Sequence, residues 1–187
     1  MLIAGIDYSL NGPAICVFNG NDDFVFEKCN FYFLTNTKKY GTTLFRNVHG
    51  QLFDDYEEEC ERYDTISDWV MRIIVGCDQI GLEDYAYGAQ GRVFHIAENT
   101  GILKYKCYQS SIPIEVFSPS YVKKLATGKG NSDKPAMYEA FLKETGIPLQ
   151  GIITPNKKDI GNPVSDIVDS YYVCKSLFTQ IQASAQR

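Results

Sequence analysis

The sequence predicts a single α/β domain whose sheet begins with an antiparallel meander. Three apolar or aromatic runs follow one another at hairpin spacing over residues 1–34, which is typical of neighbouring antiparallel strands. Helical stripes and short apolar runs then alternate towards the C-terminus, as they do where covering helices join strands. A chain of 187 residues suits one domain with a substantial core, so we expect residues 1–187 to form one unit.

The first predicted strand covers residues 3–6 and delivers a lone carboxylate, Asp7, before a turn-forming Asn-Gly-Pro sequence at 11–13. A second apolar run over 14–18 closes at another turn, and an aromatic run over 24–34 predicts the third strand. At this point Asp7 has two interpretations. Its carboxylate either starts the turn by accepting backbone N–H groups or is presented by the strand for function.

Residues 35–61 favour neither helix nor strand, and we interpret them as an irregular insertion. The acidic segment 54–61 at its end is either a solvated face or the start of a helix. A calcium loop is not predicted, because the acids lack the Asp-x-Asp-x-Asp-Gly spacing.

The next elements alternate between helix and strand. A helical stripe over 62–75 should cover the sheet, and a short apolar strand over 79–88 carries a second carboxylate, Glu83, towards its end. A helix over 92–108 and a strand over 112–117 follow.

Helix start signals dominate the C-terminal third. Ser118-Pro119 begins a short helix, and another helix is predicted over 135–145 after the glycine-rich loop 128–134. That loop lacks P-loop spacing, so it does not predict a nucleotide site. The last helix is predicted to begin with Asn162 as N-cap and Pro163 as its first residue.

The composition excludes several classes of protein and site. Apolar residues make up 44% of the chain and aromatic residues 13%, as in a globular protein. No apolar run approaches the roughly 18 residues of a membrane span, and no basic signal-peptide region is present, so we expect a cytoplasmic protein. The six cysteines form no C-x-x-C pair and only two histidines occur, which predicts neither a zinc site nor a disulfide framework.

Charge is unevenly distributed along the chain. The net charge is −5, but removing the acidic segment 54–61 alone would reverse its sign. A basic cluster falls within twelve positions and is opposed there only by Asp133; it consists of Lys123, Lys124, Lys129 and Lys134. Because binding to a nucleic-acid backbone depends on local cation clustering, this cluster is compatible with a nucleic-acid-binding face despite the acidic total.

A third source of carboxylates is the last predicted helix, where Asp166 and Asp169 lie three residues apart and therefore share one face. Acids near a helix N-terminus are also favoured by the helix dipole, which is the structural alternative. However, Asp7 and Glu83 each leave a hydrophobic strand and could meet this pair in space.

Four converging carboxylates would repel one another strongly unless cations were bound between them. Oxygen ligands with few histidines favour Mg²⁺ or Mn²⁺ over zinc. Two such ions about 4 Å apart can activate a water and stabilise the leaving 3′ oxygen of a phosphodiester. The pattern therefore predicts metal-dependent phosphodiester hydrolysis by a two-metal mechanism.

Together these motifs resemble those of the RuvC-type Holliday junction resolvases. In chain order the resemblance is carried by Gly5-Ile6-Asp7, Leu82-Glu83, the segments 118–124 and 127–134, and Asp166-Ile167-Val168-Asp169. It spans most of the chain outside residues 35–61. It implies an RNase H-like fold, with a five-stranded mixed sheet and helices on both faces, and a crossover junction endodeoxyribonuclease that acts in DNA recombination and repair.

The resemblance also implies roles for individual residues. The metal ligands, for two Mg²⁺ or Mn²⁺ ions per site, would be Asp7, Glu83, Asp166 and Asp169. Lys134 matches a catalytic lysine beside the scissile phosphate, and Lys123 matches a second basic position used in DNA contact or catalysis. A homodimer is implied, because symmetric cleavage of a four-way junction needs two sites related by a two-fold axis. No small-molecule cofactor and no membrane partner are expected.

Several features depart from the family pattern. An aromatic residue after the glutamate wedges into the junction in bacterial members, and here Tyr85 and Tyr87 are the candidates. The turn after Asp7 and the insertion at 35–61 also differ, which would suit a viral member that acts in the host cytoplasm.

Other functions remain open at this level. A nuclease of the same fold could act on flaps, other branched DNA or RNA-containing substrates, and a non-catalytic DNA-binding module could keep the fold. A sugar-kinase or actin-like ATPase shares the opening strand-Asp-turn motif, but it needs two such domains and a second phosphate loop.

Overall fold

The computed structural model describes residues 1–84 and 93–185. Its strands are β1 Leu2–Asp7, β2 Ala14–Asn19, β3 Cys29–Thr35, β4 Leu44–Phe45, β5 Val48–Leu52, β6 Gln79–Glu83 and β7 Ile114–Phe117. Its α-helices are α1 Glu59–Ile74, α2 Val93–Gln109, α3 Pro119–Thr127, α4 Lys134–Thr145, α5 Leu149–Ile153 and α6 Val164–Ala185. The strands form one mixed sheet in the order β4-β5-β3-β2-β1-β6-β7. The α/β class is confirmed.

The predicted meander is present. Strand β1 pairs antiparallel with β2, with Asp7 opposite Ala14, and β2 pairs antiparallel with β3. The third strand begins at Cys29, later than predicted, because Phe26–Lys28 forms a 3₁₀ turn. The ring of Phe26 is buried in the core from this turn, stacked on Phe31 at 5.0 Å between ring centroids. Phe26 therefore contributes its aromatic ring to the core and is not part of a strand.

The number of strands differs from the implied five: the described residues form seven. The two additional strands, β4 and β5, lie within the segment interpreted as irregular, so that interpretation was wrong over 44–52. Strand β5 pairs parallel with β3 and places the buried Val48 opposite Phe31. Gly50 lies so close to the backbone of Tyr40 that a Cβ there would lie 2.2 Å from its carbonyl oxygen. This packing depends on distant residues and leaves little periodicity in the local sequence.

Helices cover both faces of the sheet, as the resemblance implies. Strand β1 alternates between the faces: Ile3 joins a core with α4 and α6, whereas Ala4 and Ile6 join a core with α1 and α2. Helix α1 begins at Glu59, inside the acidic segment, so the helix-start interpretation of that segment is confirmed for its end. Helix α6 begins at Val164, one residue later than predicted. No helix in the described ranges has the length and apolar character needed to cross a membrane.

Helix α6 comes very close to the sheet at Gly5, in the middle of β1. A Cβ on Gly5 would lie 2.1 Å from the backbone nitrogen and 2.5 Å from the Cα of Cys174 in α6. Only a residue without a side chain leaves room for the helix backbone here. Gly5 therefore lets α6 lie directly on β1, and this contact brings the N-terminal turns of α6 to the end of β1 where Asp7 is located.

Candidate active site

Two of the predicted carboxylates leave neighbouring strands at the same edge of the sheet. Strands β1 and β6 are parallel and pair Ile6 with Leu82, so the next residue of each, Asp7 and Glu83, stands at an adjacent strand end. Carboxyl ends of parallel strands are where open α/β sheets commonly place their ligands. The pairing of β1 with β6 thus joins two carboxylates that are 76 residues apart in the chain.

The turn that follows Asp7 has a hydrogen-bonding group of its own. The Gly12 N–H donates to the Ser9 Oγ at 3.0 Å. Ser9 therefore holds the turn, and the carboxylate of Asp7 has instead become part of a buried electrostatic cluster.

The other two carboxylates come from the first turns of α6. Asp166 is buried, and Asp169 is partly exposed one turn later on the same helix. The Oδ1 of Asp166 accepts a hydrogen bond from the Ser165 Oγ at 3.2 Å, whereas its Oδ2 is buried and has no hydrogen-bond partner among the residues that the structure describes. The absence of a side chain at Gly12 leaves room for this oxygen, since a Cβ there would lie 2.7 Å from the Asp166 Oδ2.

The four carboxylates interact with one another electrostatically. Burial raises the pKa of Asp7 well above its usual range, and repulsion from Asp166, Glu83 and Asp169 raises it further. Burial, followed by repulsion from Asp169, raises the pKa of Glu83 to about 8. Burial also raises the pKa of Asp166 to about 7 and that of Asp169 to about 6, in both cases against the lowering effect of nearby lysines. Ionising all four carboxyl groups at once is thus unfavourable in this cluster.

Two lysines supply the nearest positive charge. Lys134 is the first residue of α4, where the Asp133 side chain caps the helix by accepting from the Ala136 N–H at 3.0 Å. Its ammonium lowers the pKa of Asp7, Asp166 and Asp169. Lys123, on α3, lowers the pKa of Glu83 and Asp169. Both lysines are therefore close to the carboxylates, as the sequence predicts.

A cavity of about 870 Å³ opens over this cluster. Its lining includes, among the predicted residues, Asp7, Glu83, Asp169, Lys123 and Lys134. Asp166 does not line the cavity, so it lies behind the wall that the other three carboxylates form. Lys124 and Lys129 are exposed outside the lining. Tyr85 and Tyr87 lie outside the described residues.

The donor set suits a hard divalent cation. It consists of carboxylate oxygens only, and the unpartnered Asp166 Oδ2 together with the mutual repulsion is what a bound cation would relieve. In the described ranges, however, no three His, Cys, Asp or Glu side chains converge closely enough to hold an ion as they stand. The chemistry of the site fits Mg²⁺ or Mn²⁺, and binding would have to draw the carboxylates together.

Three further residues at the site have no clear sequence signal. The Lys134 Nζ donates to the Ser165 Oγ at 3.2 Å and to the Asn162 Oδ1 at 3.5 Å. The Lys157 Nζ donates to the Asn162 carbonyl oxygen at 2.8 Å, and its charge also lowers the pKa of Asp166. These contacts hold Lys134 against the start of α6. The only local hint is the position of Ser165, directly before Asp166.

Comparison with known proteins gives one relative in sequence. No family model matches the chain. Over 70 residues, or 37% of the chain, it is 31% identical to the crossover junction endodeoxyribonuclease RuvC of Gloeobacter violaceus. The matched stretch spans 40% of that relative's length.

Several solved structures share the fold over nearly the whole chain. The structure of Thermus thermophilus RuvC matches with a TM-score of 0.60 at 14% identity, covering 98% of this chain and 97% of the other. The T. thermophilus RuvC complex with a Holliday junction substrate matches with a TM-score of 0.62 at 14% identity, over 97% and 96%. The complex of Fowlpox virus resolvase with Holliday junction DNA matches with a TM-score of 0.52 at 17% identity, over 97% and 99%.

Proposed function

We propose that the chain is a divalent-metal-dependent endonuclease that cuts branched DNA, with the four-way junction as its substrate. Its sequence similarity to one RuvC and its fold similarity to solved Holliday junction resolvases support this proposal. The observation that carries the proposal is the gathering of Asp7, Glu83 and Asp169, with Lys134, around one cavity at the end of parallel strands. These residues come from four separate elements. We also propose that residues 1–187 form one nuclease domain that acts in the cytoplasm.

In this proposal Asp7, Glu83 and Asp169 hold Mg²⁺ or Mn²⁺ from the cavity side, and Asp166 supports the same site from behind. Two ions held by these carboxylates would supply activation of the attacking water and stabilisation of the leaving 3′ oxygen. The Lys134 ammonium, held by Ser165 and Asn162, faces the position of the scissile phosphate and offsets its negative charge. Lys123 contributes a second positive charge on the side of Glu83.

The same lysines support DNA binding by backbone charge. Lys123 and Lys124 lie on α3, and Lys129 lies in the loop between α3 and α4 that leads to Lys134. Contacts to phosphates carry no sequence information, so binding through this face should select the shape of the DNA and weaken steeply with salt. Tyr85 and Tyr87 remain candidates for an aromatic contact with the junction.

The test is a cleavage assay with matched labelled substrates. The protein is incubated with a four-way junction, a flap, an RNA–DNA hybrid and a linear duplex of the same sequence, with Mg²⁺ or Mn²⁺ and with EDTA as control. We expect cleavage of the junction that requires the metal and exceeds cleavage of the duplex. Preferential cleavage of flaps or RNA-containing substrates would favour the alternative nuclease functions. Junction binding without cleavage under any metal would favour a non-catalytic DNA-binding module.

A homodimer is the second part of the proposal, and an exposed stripe on α2 supports it. Phe94, Tyr105 and Tyr108 are 76%, 61% and 79% exposed and lie with Gly101 on one face of the helix. An added Cβ on Gly101 would meet nothing within 4 Å in the described part of the chain, so a second helix can approach closely at the centre of the stripe. Phe94 and Tyr108 lie seven residues on either side of Gly101. A two-fold axis beside Gly101 that reverses the helix direction would therefore place Phe94 against Tyr108 of the second copy.

Replacing Phe94 with Glu should convert the dimer to a monomer. The substitution removes an aromatic contact and buries a charge, so the dimer dissociation constant should rise at least about 100-fold. Light scattering coupled to size exclusion measures the change. Val75→Glu is the matched control, because Val75 is 73% exposed at the end of α1, outside the stripe, and it should leave the mass unchanged. A Phe94→Glu protein that keeps the dimeric mass at the same concentration would place the interface elsewhere.

A further inference from the structure

The insertion at 35–61 contributes an exposed aromatic side chain to the lining of the cavity that the carboxylates share. Tyr56 lies between β5 and α1 and is 44% exposed. It lines the same cavity of about 870 Å³ as Asp7, Glu83 and Asp169. An exposed ring beside a site for DNA cleavage is available for contact with the substrate.

Arg62 fixes the ring of Tyr56 relative to the carboxylates. The guanidinium carbon of Arg62 lies 5.1 Å from the centre of the Tyr56 ring. The Nη2 of Arg62 donates to the Leu10 carbonyl oxygen at 2.6 Å and to the Asn11 Oδ1 at 2.8 Å. Leu10 and Asn11 belong to the loop that directly follows Asp7. One guanidinium therefore links the ring to the loop that follows β1 and Asp7.

The charge around Tyr56 indicates which part of DNA it can contact. Its chain neighbours Asp55, Glu57 and Glu58 are exposed acids. They repel phosphates, so a contact with the DNA backbone is disfavoured at this position. A neutral planar nucleobase meets no such repulsion, and stacking of a base on an aromatic ring contributes about 1–3 kcal/mol.

We propose that Tyr56, supported by Arg62, is a stacking platform for an unpaired or unstacked base of the DNA strand bound in the cavity. The proposal rests on the proposed nuclease function and adds a determinant of substrate selection to it. In a linear duplex the bases stack on each other and are paired, so Tyr56 gains nothing. At a branch point a base can leave its stack, and Tyr56 then stabilises that arrangement at a set position relative to Asp7.

Three substitutions of Tyr56 distinguish the effect of the aromatic ring from the effect of side-chain volume. Tyr56→Phe keeps the ring, Tyr56→Leu keeps apolar volume without the ring, and Tyr56→Ala removes both. Each is combined with Asp7→Asn, so that the DNA stays uncut, and is mixed with a four-way junction that carries 2-aminopurine at the branch point. We expect the Asp7→Asn protein, with or without Tyr56→Phe, to quench the 2-aminopurine fluorescence. Adding Tyr56→Leu or Tyr56→Ala to Asp7→Asn should abolish that quenching.

Affinity gives an independent measure. The dissociation constant for the junction should rise about 5- to 150-fold with Tyr56→Leu, which is the equivalent of the stacking free energy, and that for linear duplex should not change. Arg62→Lys keeps the positive charge but not the guanidinium fork, and should lose part of the quenching. Melting curves of each variant report folding.

The outcomes distinguish this inference from the proposed function. If the wild-type protein cuts junctions and Tyr56→Leu matches Tyr56→Phe in quenching and in affinity, the stacking platform is wrong and the nuclease function stands. If the wild-type protein cuts no branched DNA, the nuclease function fails, while the fluorescence still reports whether a base stacks on Tyr56. Equal losses of junction and duplex affinity with Tyr56→Leu would also overturn the inference, because they would mean a general effect on DNA binding.

Discussion

Replacing Asp7 or Asp169 with Asn should reduce junction cleavage about 1,000-fold or more, equivalent to roughly 4 kcal/mol of transition-state stabilisation. Asn keeps the size of the side chain but cannot carry the negative charge that the proposed metal site needs. Junction binding should stay within about twofold of wild type, since the phosphate contacts are assigned to lysines. Single-turnover cleavage and a binding titration measure the two effects.

The same substitutions should stabilise the protein when no divalent metal is present. Burial raises the pKa of all four carboxyl groups, and repulsion from neighbouring carboxylates adds to the rise for Asp7, Glu83 and Asp166, so ionising the cluster in the folded state is unfavourable and Asn reduces that cost. A gain of about 1 kcal/mol corresponds to a rise in Tm of about 2–4 °C for a chain of this size. Added Mg²⁺ should raise the Tm of the wild type and have a smaller effect on either variant.

Asp23→Asn is the matched control for these measurements. Asp23 is exposed and follows the far end of β2, the end that pairs with the start of β1. The substitution should change neither cleavage nor the effect of Mg²⁺ on Tm. Undiminished cleavage by Asp7→Asn or Asp169→Asn would refute the assignment of these residues as ligands.

Replacing Gly5 with Ala should lower the free energy of unfolding by about 3 kcal/mol or more, which corresponds to a fall in Tm of about 6–12 °C. The added Cβ would lie 2.1 Å from the backbone nitrogen of Cys174, and backbone cannot rotate away as a side chain can. Helix α6 must therefore shift from β1. Because that shift separates Asp166 and Asp169 from Asp7, the cleavage rate should also fall, even at temperatures well below the new Tm where the variant is folded.

Gly151→Ala serves as the control for the Gly5 substitution. Gly151 lies in α5, where an added Cβ would meet nothing within 4 Å. Replacing a helical glycine with alanine at an open position should be neutral or stabilise by up to about 1 kcal/mol. Thermal melts of both variants make the comparison. If Gly5→Ala melts at the wild-type temperature, the close approach of α6 to β1 is not a constraint on the fold.

Local sequence signals predicted much of the fold because they act within a few residues. The Ser118 side chain caps α3 by accepting from the Tyr121 N–H, and α3 ends at Gly128 with a positive φ of 81°. Apolar runs of the right length predicted β1, β2 and their antiparallel pairing. The candidate site was also accessible from sequence, because Asp7 and Glu83 each mark the end of an apolar strand.

Contacts between distant segments decided the remaining features. Strand β5 is held in the sheet by its pairing with β3, which places Val48 opposite Phe31. No local periodicity in the sequence indicates that pairing. The tie from Arg62 to the loop after Asp7 and the contact of Lys134 with Ser165 likewise join residues far apart in the chain.

Asp166 and Asp169 show most clearly what the sequence specified and what the tertiary structure specified. Their spacing of three residues determined that both lie on one face of a helix near its start. It did not determine their depth, because depth depends on how far α6 approaches the sheet and on its rotation there. Gly5 sets that approach, and the result is an Asp169 that lines the cavity and an Asp166 whose Oδ2 is buried behind it, beside Gly12.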